Sequence, residues 1–384
     1  MAVYKIYVRD QNFNKVAEID DYASLEMVSR FNAVGAWTME IHTNTAAARE
    51  LVKPRAGIIV KRDGITVFSG PVTQRKRKWD ISTDQLTLSG LDDNVWLSRY
   101  LALPVTSGPP YTTADYDVKT GPVETVMKAY VTANMGSGAK ADRQLNITIE
   151  PDRARGTTVT GRARFCTLLD LFSTLALAGG DIGFRIVQAG NGLQFFVYQP
   201  ADKTASAVFS PALGNLLSFE YSDADPDANY IIVGGNGDGT ARTFVESGDP
   251  GSIAAYGRIE EFLDNRNTSN VSELNQAIIA ELAQKAQKTS LTITPVDTES
   301  IAFGQDYSLG DRVSVILTQQ NEAGGQDVLD TIQDVVREVR FKITTDGEVI
   351  TPFIGTPDTL SHPIMGIFRK MKQLNNRVSN IERR

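Results

Sequence analysis

Residues 307–315 read YSLGDRVSV, and residues 335–355 read VVREVRFKITTDGEVITPFIG. Apolar and polar residues alternate through both pieces, which is the period of a half-buried strand, and Gly310-Asp311 and Asp346-Gly347 supply the turns. Residues 362–384 then read HPIMGIFRKMKQLNNRVSNIERR. Here Ile364, Met371 and Val378 occupy a positions of a heptad, and Ile367, Leu374 and Ile381 occupy d positions. Lys370 and Arg377 flank the seam at g, and Asn375 and Glu382 at e. Isoleucine at both kinds of core position favours three strands over two. A helix this short is marginal in water unless its seam is buried. The seam therefore predicts either a projecting trimeric coiled coil or an amphipathic helix packed on its own domain, and the basic outer face favours the bundle.

Working outward, the other end of the chain reads in the same way. Residues 3–8 alternate as a strand, Asn12-Phe13-Asn14 turns the chain, and Trp37, Met39 and Ile41 share one face of a further strand. IIVKRDGITVFSG (58–70) is a hairpin about Asp63-Gly64, a dipeptide suited to a type I′ turn. A second hairpin is WDISTDQLTLSG (79–90), and a short helix, DNVWLSRYLALP (93–104), stops at proline. Such spacing of short strands suggests a small barrel or sandwich. IVKRDGITVFSG (59–70) and ITTDGEVITPFIG (343–355) share an Asp-Gly hairpin and a closing glycine. The echo fits two related β-barrels at the two ends, and it also fits chance.

Between the ends the pattern is mixed. Residues 104–122 contain four prolines and no period, and read as a linker or long surface loop. VETVMKAYVTAN (123–134) is helical, RFCTLLDLFSTLALAGG (164–180) is an apolar helix closed by Gly179-Gly180, and FRIVQAGNGLQFFVYQP (184–200) is a hairpin turning at Asn191-Gly192. Strands resume near Asn215. A helix opens at Asn270, with Glu273 three residues on as in a capping box and Leu274, Ile278 and Leu282 as its apolar stripe. The expected organisation is a β-rich α+β chain. It comprises a barrel-like domain (1–103), a mixed α/β domain (104–214), strands and a capped helix bridging back (215–290), a second barrel-like domain (291–360) and the terminal helix (361–384).

The composition is that of a globular chain: 384 residues, 41% hydrophobic, 22% charged, net charge -7. No apolar run approaches the roughly 20 residues that span a bilayer. The N-terminus has no signal-peptide pattern, and a single cysteine, Cys166, excludes an intrachain disulfide; both predict synthesis in a reducing compartment. The net acidity argues against wholesale DNA binding.

Candidate chemistry is thin. His42 and His362 stand in no metal-spaced motif, and Cys166 reads as a small core residue. Asp223, Asp225 and Asp227 alternate in SDADPDANY (222–230), a possible calcium loop that lacks the glycine and distal glutamate of an EF-hand. The following GGNGDGT (234–240) resembles one misspaced copy of a Gly-Asp calcium repeat, and a solvated turn explains both stretches better. Arg75, Lys76, Arg77 and Lys78, followed by Trp79, form the one dense basic run. It reads as a protein contact or as an exposed edge strand whose charges discourage wrong pairing. No GxSxG, Walker A or zinc motif is present, so no catalytic, cofactor or metal residue is assigned.

Taken in order, RFNAVGAWTMEI, KRDGITVFSGPV, LTLSGLDDNVWLSRY, the helix of 270–288 and YSLGDRVSV with REVRFKITTDG resemble the tail-hub proteins of long-tailed phages, the tail-associated type also called baseplate hub or minor tail proteins. The resemblance implies a structural virion protein at the tail tip, made in the host cytoplasm. Three subunits, each with two β-barrel domains, would build a pseudo-sixfold ring joining the sixfold tail tube and distal tail protein to a threefold tip. Tape measure protein, tip or receptor-binding proteins and transiting DNA would be its partners, and Ile364, Ile367, Met371, Leu374, Val378 and Ile381 its trimer interface. An acidic channel wall would repel the DNA backbone and let it slide. The sequence stops at Arg384, just after the seam begins, so the C-terminal lytic or receptor-binding extension of the family is not expected here. The alternatives are a tail-associated cell-wall hydrolase, whether endopeptidase or glycan hydrolase, and a glycan-binding tail protein.

Overall fold

The computed structural model describes residues 3–295, 301–321, 325–344 and 347–355. The seam residues 364–381, His362 and the turn residue Asp346 lie outside these. Both β-rich ends of the chain fold as the alternation predicts, but they share one sheet. Thirteen strands are hydrogen-bonded together, and the path runs from Leu216–Ala224 through Lys288–Pro295, Gly347–Gly355 and Gln326–Thr344. It then continues through Ser24–Arg30, Ala36–His42, Asp84–Leu91 and Ile65–Trp79 to Gly57–Arg62, Tyr4–Arg9 and Lys15–Ile19. The junction between the two ends is antiparallel, with Phe341 opposite Met27 and Thr344 opposite Ser24. Among the described residues this path is open at both ends, and no barrel closes within the chain.

One apolar core underlies that junction. Leu25, Met27, Trp37, Met39 and Leu88 from the start of the chain pack with Phe209, Leu291, Val339, Phe341 and Ile354 from the rest. Opposed residues on an antiparallel ladder share a face, so Phe341, Met27, Trp37 and Met39 lie on the buried side as their register requires. Val208–Phe209, which the sequence reading groups with the middle domain, runs parallel to Arg312–Gln320 and enters this core. Gly310, with φ +95°, makes the turn before Arg312 and packs its bare Cα against the Phe31 ring.

A second core is built on the helices Val123–Asn134 and Leu168–Ala178 and the hairpin Gly183–Ala189/Gly192–Tyr198. The helices match their predicted positions. The hairpin turns one residue earlier than expected, at Gly190-Asn191, because Ala189 pairs with Gly192. Gly190 takes φ +60° and Asn191 has no positive φ, which suits a type II′ turn and places the glycine first. Part of the expected linker is strand: Asp117–Pro122 pairs with Thr158–Ala163.

The third core is small. Helix Val271–Lys285 lays Leu274 and Ile278 on the sheet of Phe244–Gly248, Tyr230–Gly234 and Glu260–Asp264. Asn270 caps the helix by accepting from Ser272 N. The capping box is not completed, because the Asn270 N–H goes to Thr268 and Glu273 reaches Arg162 instead. An ion pair to another part of the molecule replaces a local one.

Candidate functional site

The sequence candidates for chemistry are not brought together. His42 is exposed at the end of its strand, beside Thr43, Asp84 and Gln85. Cys166 is half-buried on a two-residue strand opposite Ala102, and burial pushes its thiol up, away from the reactive thiolate. Asp223 sits on an edge strand, Asp225 faces solvent and Asp227 pairs with Lys288. In the Gly-rich loop, Asp238 pairs with Arg266, while Arg242 donates to the Gly234 and Gly235 carbonyls. Among the described residues no group of three His, Cys, Asp or Glu side chains is placed to hold a metal ion. No described helix is long and apolar enough to cross a membrane.

What the fold assembles instead is a surface. Eight successive strands, from Leu216–Ala224 to the outer half of Ile65–Trp79, cover the first core with one face and turn the other away from it. Register places Ser218, Thr292, Thr351, Arg340, Glu26, Thr38, Ser89 and Lys76 on that second face, one from each strand. It is mostly polar, with Val28, Val349 and Phe353 among its apolar members and Arg340 lying over the Phe353 ring, and it is nearly charge-balanced. Glu26, Glu40, Glu220 and Glu338 stand against Arg30, Arg340, Lys342, Lys76 and Lys78. Some of these pair: Arg30 meets Glu338 across strands at 2.7 Å, Arg340 meets the same carboxylate along its own strand at 2.8 Å, and Lys342 meets Glu26 across strands at 3.6 Å.

Both ends of this eight-strand face are open edges. Among the described residues, 74–79 pair on one side only, with Asp84–Leu91, and Arg75 to Trp79 are all exposed. Arg77 pairs with Asp84, and Arg75 donates to the Leu51 and Lys53 carbonyls, while Trp79 is 69% exposed. The basic run is therefore an exposed edge strand, as one of its sequence readings has it. At the far end, Leu216–Ala224 pairs among the described residues only with Lys288–Pro295 and exposes Leu217, Glu220, Tyr221 and Asp223.

A buried polar seam joins the sheet to the middle core. Asn32, Asn94 and Ser69 accept from the N–H groups of Phe184, Ile186 and Gln188 at 2.9, 2.7 and 2.8 Å. These are alternate residues of an edge strand, so side chains of one unit replace a neighbouring strand for the other. Arg9, Asp93 and Gln188 complete the network. Sequence reading missed it, since the only signal was the polar cluster Asp92-Asp93-Asn94 at a helix entry.

This chain belongs to the family described as Siphovirus ReqiPepy6 Gp37-like protein, whose model matches residues 5–356. Its fold is that of prophage tail proteins. The 43 kDa tail protein of prophage MuSo2 from Shewanella oneidensis aligns with TM-score 0.57 and 12% identity over 92% of this chain and 98% of that one. A tail protein from Neisseria meningitidis MC58 aligns with TM-score 0.57 and 15% identity over 92% and 96%. Prophage tail protein gp18 from Listeria monocytogenes EGD-e aligns with TM-score 0.55 and 11% identity over 97% and 99%. No curated protein matches. The resemblance to tail proteins of long-tailed phages, read from scattered signatures, is borne out by the family match.

Proposed function

We propose that this protein is a structural hub of the phage tail tip, three copies of which form a pseudo-sixfold ring. The observation that supports it is the eight-strand sheet. Four strands come from residues 216–355 and four from residues 24–91, joined where Gln326–Thr344 pairs with Ser24–Arg30. One chain so supplies two four-stranded panels, and three chains supply six, the number a sixfold tail tube presents. Barrel closure would belong to the ring and not to a single chain.

In this reading the polar face lines the DNA channel. Its near balance of charge replaces the expected acidic wall: a mostly polar surface whose carboxylates are matched by nearby cations offers the DNA backbone little net attraction. The far side of the ring would receive the tip or receptor-binding proteins, and the near side the tube, distal tail protein and tape measure protein. Ile364, Ile367, Met371, Leu374, Val378 and Ile381 would lock the three copies at the tip.

The test is the mass of the full chain in solution by light scattering, beside a truncation ending at Leu360. A trimer that dissociates on truncation supports the ring and assigns the lock to the seam. A trimer in both supports the ring and assigns its closure to the sheets. Monomers in both, even at high concentration and with tail tube added, overturn the reading.

A further inference from the structure

We infer that a cleft between the sheet and the middle core binds an acidic segment of another protein, with the guanidinium groups of Arg55 and Arg99 taking its carboxylate. The inference concerns a surface apart from the ring and stands whether or not three copies assemble.

The cleft has a volume of about 280 Å³, and its lining includes Arg9, Phe13, Arg55, Pro71, Trp96 and Arg99. Its floor is built. Arg9 is almost fully buried and commits its guanidinium to Asp93 and Gln188. Gly57 lets it lie there, since a Cβ at that position would stand 2.7 Å from the Arg9 Nε. The Asp93 carboxylate is engaged in turn: it accepts from Arg9, from Ser69 and, at 3.2 Å, from the indole Nε1 of Trp96. That last bond orients the indole, which forms one wall of the cleft.

The rim is different. Arg55 and Arg99 are exposed, and neither guanidinium makes a hydrogen bond or an ion pair among the described residues. Arg99 lies over the Trp96 ring, 5.3 Å from its centroid. Asp93, the acid of the cleft floor, is already taken by its other partners. Two uncompensated cations therefore converge on one opening, in a chain whose net charge is -7. Arg55 takes φ +60° and Phe13 φ +64°, left-handed conformations that are costly for such side chains. Strain of that kind gathers at ligand clamps, and both residues line this cleft.

A guanidinium fork matches either a carboxylate or a phosphate edge to edge. The walls choose between them. Phe13, Pro71, Val72 and Trp96 offer apolar surface that packs the hydrocarbon stem of an acidic side chain and would desolvate a bare inorganic anion without return. The volume lies just under the roughly 300–1,000 Å³ of small-molecule sites, which suits one side chain and not a cofactor.

The experiment uses the full chain and a fluorescein-labelled peptide of about ten residues alternating glutamate and leucine, with glutamine in place of glutamate as its control. Fluorescence anisotropy gives the dissociation constant, and circular dichroism checks folding. The glutamate peptide should bind wild type, and the glutamine peptide should not. Arg55→Ala/Arg99→Ala should weaken binding about tenfold or more, as the loss of two charge-assisted hydrogen bonds requires. Arg153→Ala/Arg258→Ala removes the same charge from exposed positions outside the cleft and should leave the constant within about twofold of wild type. Binding should also change the tryptophan emission, and Trp96→Phe should remove that response. An equal loss in both arginine variants would show attraction to charge in general and overturn the site. Inorganic phosphate that binds at the cleft while the glutamate peptide does not overturns the acidic segment as its occupant. A folded wild type that binds neither overturns the inference and leaves the hub reading, which rests on the sheet, as it stands.

Discussion

Arg9, on the first long strand, donates two hydrogen bonds to Asp93, 84 residues later, at 2.7 and 2.5 Å, with both side chains almost fully buried. Ser69 donates to the same carboxylate at 2.6 Å, and Arg9 also reaches Gln188 of the middle core at 3.0 Å. The pair thus sits where the sheet meets the second core. Removing one partner strands a buried charge, which costs about 3–5 kcal/mol. Arg9→Met should lower stability by that order in chemical denaturation. Arg9→Met with Asp93→Leu should recover a large part of it. A double variant no better than the single one would assign the loss to packing alone.

Gly90 is a point of close approach under the sheet's outer hairpin. A Cβ there would stand 2.1 Å from the Pro71 carbonyl oxygen and 2.3 Å from the Trp37 indole nitrogen. Both neighbours are buried, and Trp37 has no room to withdraw from the core. Gly90→Ala should cost about 2–3 kcal/mol, the range of an overpacked core. Equilibrium denaturation checks it, and a midpoint equal to wild type would contradict the close approach.

Arg162 holds the Glu273 carboxyl below its ordinary value by hydrogen bonding, against the opposing effect of burial. A carboxylate with a lowered folded pKa contributes fully above its unfolded value, near 4.5, and loses that contribution as pH falls through the lower folded pKa. The pair ties helix Val271–Lys285 to the strand Thr158–Ala163. Glu273→Gln should raise hydrogen exchange in that helix at pH 7, and the difference from wild type should shrink below pH 4.5. A difference that persists in acid would show that charge is not what holds the helix.

Asp92 behaves in the opposite sense. Burial pushes its carboxyl up to about 7, the neighbouring Asp93 adding to the rise, while the backbone N–H groups of Gly35 and Asn94 oppose it. The folded state therefore keeps a proton that the unfolded chain releases near 3.8, and stability falls as pH rises from there through 7. The side chain retains some solvent contact, so the slope should be a fraction of the roughly 1.4 kcal/mol per pH unit that one whole proton carries. Asp92→Asn should flatten the thermal midpoint between pH 5 and 8 relative to wild type. An unchanged slope would place the titrating group elsewhere.

Much of this architecture is legible in local pattern. Period-two alternation placed the strands about Trp37, Met39 and Ile41 and the pair around Gly310, because one buried face imposes it. Asp63-Gly64 forecast a hairpin, and the two residues take φ +51° and +84° as a type I′ turn requires. The helices Val123–Asn134 and Leu168–Ala178 followed from apolar periodicity and from their closing residues. These features depend on residues within one or two turns of each other. The ordered signatures likewise sufficed to indicate the tail-protein family.

Tertiary structure alone decided which pieces share a core. Met27 and Phe341 are 314 positions apart, and no local pattern says that their strands pair. Alternation tells which face of a strand is buried and not which strand lies beside it, so two β-rich ends read as two units although they form one sheet. The same limit explains Glu273: its position three residues after Asn270 suggested a cap, and a distant guanidinium outcompeted the local N–H. The open edges follow the same rule. Arg75, Lys76, Arg77 and Lys78 are visible as a basic run in any reading, but their place at one end of an eight-strand face, with Glu220 and Asp223 at the other, exists only once long-range hydrogen bonding has fixed the order of the strands.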